Sequence, residues 1–236
     1  MGVGEPGGGL DGRGAFELTN WLVYMARPAR VSPDAILAAA ALEFAARGFA
    51  GARVDRIARR ARVNKAMLYY HFKSKERLYR TLLRRMFTRA AQRIQANVAS
   101  SDAPADKVDR AIAAIAAFIE EHRSFAAIML REVAEGGARL DRDTLEALAA
   151  VPRAVATIVE DGIAAGAFRP VHPLFAYFSM LAPIVFFLAA APIRREIADL
   201  HVIDARGLSP ADFVRHMQQS TRRSLAHDKR PARSRS

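Results

Sequence analysis

Cysteine is absent from the 236 residues, which excludes disulfides and thiolate metal ligation and fits a reducing cytoplasm. Histidine is sparse. His71, His122, His172, His201, His216 and His227 lie far apart, and no two stand four residues apart, the spacing that puts two imidazoles on one helix face. No metal and no cofactor is therefore expected. A glycine-rich phosphate loop, a G-x-S-x-G elbow, an HExxH run and any motif pairing catalytic carboxylates are also missing, so an enzyme is set aside. Strand signals are equally scarce: β-branched residues are scattered, apolar and polar residues do not alternate, and alanine dominates residues 105–191. The fold class is all-α. With 51% apolar residues the chain can bury a substantial core.

What the sequence has in excess is positive charge, and it is confined to one place. Residues 26–90 hold 16 Lys and Arg against 4 Asp and Glu, while the rest of the chain carries 20 of each sign. The whole net charge of +12 thus falls in one segment. A local basic surface of this kind is the electrostatic footprint of a nucleic-acid binder. A solvated basic face is the plainer alternative.

Residues 1–28 read as a disordered extension, since the glycine-rich start MGVGEPGGGLDGRG offers nothing to bury. The apolar stretch from Phe16 to Tyr24 lacks the pattern of a secretory signal, and translation from either Met1 or Met25 is compatible with the composition. From Ser32 the pattern becomes helical: Ser32, Pro33 and Asp34 supply an N-cap, a first-turn proline and an early acid. The first helix should end near Arg47, with Gly48 in the left-handed position. Further helices are predicted near 54–61, 65–71, 75–98, 105–122, 124–134, 142–165, 173–190 and 210–226, followed by a flexible basic tail over 227–236.

In the run RVDRIARRARVNKAMLYYHF over residues 53–72, Val54, Ile57, Ala58 and Ala61 recur at helical spacing, and Asp55, Arg56, Arg59 and Arg60 fall outside that stripe. After the interruption Arg62-Val63-Asn64, Leu68 and Phe72 anchor a second short helix and turn Lys65, Ala66, Tyr69 and Tyr70 outward. Two short helices joined by a tight turn make a helix-turn-helix, whose second helix fits the major groove of double-stranded DNA.

Val54, Ile57, Ala58, Ala61, Val63, Lys65, Leu68, Tyr69, Phe72, Lys73, Lys75, Glu76 and Leu78, in that order, resemble the DNA-binding signature of the TetR family over about fifty residues. The resemblance implies a three-helix DNA-binding domain over residues 29–76 and a larger helical domain over 77–226 that binds an effector and dimerises. Two positions depart from the family pattern. Arg53 stands where Ser or Thr commonly caps the helix, and Arg62 stands where the turn commonly has glycine, so a residue with a Cβ must take a left-handed conformation or the turn must differ. Asn64, Lys65, Ala66 and Tyr69 are the candidate readers of base edges: Asn suits adenine, Lys suits guanine acceptors, and Ala allows close approach. Arg53, Tyr70, His71, Lys73 and Lys75 are the candidate phosphate clamps; His71 is equally suited to closing the end of its helix.

The neutral, apolar helices beyond residue 105 suit a core with a cavity. By the resemblance, Phe118, His122, Phe125, Met129, Tyr177 and Phe178 are candidates for contact with a small hydrophobic effector, with ordinary core packing as the alternative. Pro173 to Ile193 is 21 residues without a charge, long enough to span a bilayer, but it carries Pro183 and Pro192 and an amphipathic helix follows. By the resemblance, helices near 173–190 and 210–226 pair with a second copy, and no membrane is expected. The function implied is a cytoplasmic, dimeric repressor released from a palindromic operator by its effector. A non-specific architectural DNA binder, or a membrane-anchored regulator, is the alternative.

Overall fold

The structure is a computed structural model that describes Met1 and residues 32–98, 102–201 and 207–227. The expectations for the extension, for the translation start and for the tail beyond His227 lie outside the described residues. Among those described there are ten helices and no strands: α1 (Pro33–Gly51), α2 (Val54–Arg60), α3 (Lys65–Phe72), α4 (Lys75–Ala96), α5 (Pro104–Glu121), α6 (Ser124–Ala134), α7 (Arg142–Ala164), α8 (Pro173–Ala189), α9 (Ala191–Asp199) and α10 (Pro210–Leu225). The all-α class follows.

Local chemistry sets the helix ends. Side-chain oxygens of Ser32, Asn64, Ser74, Asp141 and Ser209 each accept a backbone N–H in the first turn that follows, and Ser209 and Asp212 close a reciprocal capping box. Gly48, at φ 66°, kinks α1 one residue after Arg47, as its position predicts, and one further turn runs on to Gly51. The prediction missed α9. Pro192 occupies the first turn of α9, where its missing N–H costs nothing. The chain bends by 60° between α8 and α9, which divides the charge-free stretch, and no single described helix is long and apolar enough to cross a membrane.

One cluster of buried side chains runs from Ile36 to Leu225. Its centre is α4, whose Leu78, Leu82, Leu83, Met86, Phe87, Ala90 and Ile94 face inward against α1, α5 and α7. The helix α6 packs on α1, so the larger helical body meets the N-terminal helices there. A polar group is buried at this junction: the Tyr79 hydroxyl donates to Glu132 Oε1 at 2.7 Å, and Glu132 is 2% exposed. Tyr79 also meets Phe44 and Phe49 edge-on, at ring separations of 4.7 and 5.2 Å. Burial first, and then the Glu132 carboxylate, push the Tyr79 phenol far above its ordinary titration range, so it stays a donor. Farther away, Arg222 on α10 ties to Asp106 and Asp109 on α5, each at 2.8 Å.

Candidate nucleic-acid interface

The stripe predicted for α2 is buried through Ile57, Ala58 and Ala61, and α3 is seated by Leu68 and Phe72. Between the two helices the Val63 N–H reaches Ala58 O at 3.0 Å and the Arg62 N–H reaches Arg59 O at 3.2 Å. These are the two bonds of a Schellman turn, and Arg62 occupies its left-handed position at φ 57°. The open question about this turn is thereby answered: arginine takes the strained conformation that glycine would adopt freely, at a cost of roughly 1 kcal/mol. Its side chain is exposed, adding a cation beside Arg59 and Arg60.

Arg53 makes no capping bond with its side chain, as expected, and its own N–H is taken by Glu43 Oε1 at 3.3 Å. Glu43 is buried on α1 and also stands 3.6 Å from Arg56 Nη1. Asn64 Oδ1 accepts from the Met67 N–H at 2.6 Å, so this side chain begins the recognition helix. Lys65, Ala66, Tyr69 and Tyr70 are exposed on α3. Lys65 Nζ lies 3.0 Å from Asp55 Oδ1 across the turn. That hydrogen bond lowers the Asp55 pKa and raises that of Lys65, with the Coulomb attraction of the pair next in size.

Among the expected clamps, Arg53 and Lys73 are exposed and His71 is half-buried, its ring 5.4 Å from that of Tyr70. Lys75 is a different case. Its ammonium donates to Ala52 O at 3.1 Å and Ala50 O at 3.4 Å and sits 4.6 Å above the Phe49 ring. It is turned inward and ties the connection between α1 and α2, a task at odds with the clamp role expected for it.

Residues 36–82 match the family model of bacterial regulatory proteins of the tetR family, and residues 104–210 match that of the tetracyclin repressor-like C-terminal domain. The chain belongs to the TetR family. The HTH-type transcriptional repressor NicS of Pseudomonas putida is 30% identical over 159 residues, spanning 65% of this chain and 74% of that protein. The uncharacterized HTH-type transcriptional regulator YhgD of Bacillus subtilis is 30% identical over 151 residues, 62% of this chain and 76% of that one. Among solved structures, a tetR-family regulatory protein from Rhodococcus RHA1 matches with a TM-score of 0.68 at 18% identity, covering 84% of this chain and 98% of that chain. FadR of Bacillus subtilis, solved in complex with stearoyl-CoA, matches with a TM-score of 0.67 at 16% identity, covering 80% and 97%. This TetR-family chain is thus a transcriptional regulator whose helix-turn-helix is its DNA-binding element, and its relatives are regulators, not enzymes.

The six residues predicted for an effector fall into two groups in this TetR-family body. Phe118 and Phe125 are buried, 5.3 Å apart edge to face, and His122 stacks on Phe118 at 4.5 Å with its Nδ1 3.0 Å from Phe118 O. Met129 is half-buried against the same core. Tyr177 and Phe178 contact each other at 5.0 Å, but Phe178 is 56% exposed on the outside of α8. None of the six lines the groove of about 580 Å³ that opens between the α5–α6 corner and the α8–α9 bend. That groove is lined by Ile119, Ala126 and Leu188 with Arg123, Arg194 and Arg195, and Glu120 is the carboxylate in its wall. Arg194 stacks 3.6 Å over the Phe187 ring and donates to Phe187 O. Burial and then the neighbouring Arg195 lower the Arg194 pKa. Sequence reasoning missed these arginines because Arg123 at the corner and Arg194 at the bend are 71 positions apart.

Proposed function

We propose that this chain is a homodimeric repressor that reads a palindromic operator with α3 and leaves it when an amphipathic effector enters the helical body. One observation carries the reading: α3 exposes Lys65, Ala66 and Tyr69 on a helix fixed from beneath by Leu68 and Phe72. An α-helix with a small residue in its first turn, here Ala66, can approach base edges in the major groove, and Lys65 suits guanine acceptors. Asn64 spends one lone pair of its oxygen on its own helix, leaving its amide N–H₂ and the other lone pair to address a base edge. Arg53, Tyr70, His71 and Lys73, joined by Arg62, suit the flanking phosphates.

The second copy would cover α8. Leu174, Phe175, Phe178 and Phe186 recur at helical spacing along it and are all exposed, an apolar stripe that a lone surface rarely carries. The outer face of α10, with Arg215, His216 and Gln219, is polar and suits the rim of such an interface. Two-fold pairing calls for half-sites about one helical turn of DNA apart, or a multiple of it. The groove with an apolar floor and three guanidinium groups suits an effector with an apolar body and an anionic head. That FadR, which shares this fold, was solved with stearoyl-CoA supports the same class.

Selection of bound duplexes from a random library at physiological salt tests the proposal. Enrichment of one palindrome, released by stearoyl-CoA, is the expected result. Salt-sensitive binding without an enriched motif would leave a non-specific DNA binder.

A further inference from the structure

Asp55 is the only carboxylate between residues 44 and 75, a stretch that holds nine Lys and Arg. It sits in an open notch with Arg53, Arg59, Asn64 and Lys65, on the face proposed above to meet DNA. A negative charge there opposes DNA phosphates, so its presence calls for a reason. The partner supplies one. Lys65 is the first residue of α3, where the helix dipole disfavours a cation, and the Asp55 carboxylate 3.0 Å away across the turn offsets that cost. Free protein thus holds Lys65 against α2, and reading a base with Lys65 requires it to leave Asp55 for an acceptor on the DNA.

We infer that Asp55 sets the specificity of this helix-turn-helix by competing with DNA for Lys65. This rests on Lys65 as a base reader. On an arbitrary duplex no base acceptor stands opposite Lys65, so its departure from Asp55 goes uncompensated and the freed carboxylate is left facing the DNA backbone. Where guanine N7 and O6 meet Lys65, the base acceptors compensate for the exchange. Asp55 accordingly raises the threshold for binding and leaves the right sequence least affected.

Affinities of wild type, Asp55→Asn, Asp55→Glu, Lys65→Ala and the double variant Asp55→Asn/Lys65→Ala are compared on a 30-base-pair random duplex and on the duplex enriched by wild type. Asp55→Asn should tighten random-duplex binding about five-fold and steepen its salt dependence by about one. On the enriched duplex the gain should be under two-fold, so discrimination falls. Asp55→Glu, which keeps the charge, should behave as wild type and covers the case in which Asp55→Asn folds poorly. In the Lys65→Ala background the gain from removing Asp55 should shrink by at least half, since the two residues are coupled. Equal gains on both duplexes, a loss on either, or a full gain without Lys65 would overturn the inference. Lys65→Ala that leaves both affinities unchanged would instead remove Lys65 as a base reader.

Discussion

The reading head and the helical body are built on opposite principles. From α2 through α3 the buried residues are few, most of the others are exposed, and Asp55, Arg59, Arg60, Arg62 and Lys65 carry charge at that surface. In the body, α4, α5 and α7 bury long stripes, and charges pair across helices, as Arg222 does with Asp106 and Asp109. In the head, the chemistry that meets DNA is contiguous in sequence and displayed by a scaffold of a few apolar anchors. In the body, any ligand chemistry depends on distant segments brought together by packing. Yet one buried cluster joins the two, and this shared core makes the comparison testable.

The largest effect is expected at a head anchor. Leu68, fully buried beneath α3, should cost about 2–5 kcal/mol when changed to alanine. Calorimetry should show a single transition at lower temperature, because head and body share a core; two separated transitions would break that picture. Tyr79→Phe comes next. It takes the hydroxyl donor from buried Glu132, whose Oε2 already has no partner among the described residues, and should lower stability in urea by about 1–3 kcal/mol. Lys75→Ala should cost about 1 kcal/mol of stability through its two lost carbonyl bonds. The salt slope of its DNA binding should stay unchanged; a slope smaller by about one would restore Lys75 to the phosphate clamps. The smallest effect has the opposite sign: Arg62→Gly should raise stability by up to about 1 kcal/mol by relieving the left-handed turn, with slightly weaker binding to random duplex.

These contrasts also explain what was legible in the sequence. The helix-turn-helix could be read because Val54, Ile57, Ala58, Ala61, Leu68 and Phe72 declare their faces by spacing alone. Helix ends were readable wherever a capping residue or Gly48 marked them. The buried acids Glu43 and Glu132 were missed, although each falls on an apolar stripe: Glu43 three residues after Ala40, Glu132 seven after Phe125. A carboxylate at a core position calls for a partner, and that signal could have identified the junction with Tyr79. The inward turn of Lys75 depends on the carbonyls exposed beyond the Gly48 kink, which no local pattern announces. The basic groove needs the bend before α9, a short helix beyond the periodic stretch read over 173–190.

Sequence reading by α3 is tested most directly with Tyr69→Ala, measured against the enriched palindrome and a random duplex at the same salt. Tyr69 is 38% exposed and carries no charge, so its loss should weaken the palindrome by about 1–3 kcal/mol and leave the random duplex nearly unchanged. An equal loss on both would mean that α3 contacts DNA without reading it.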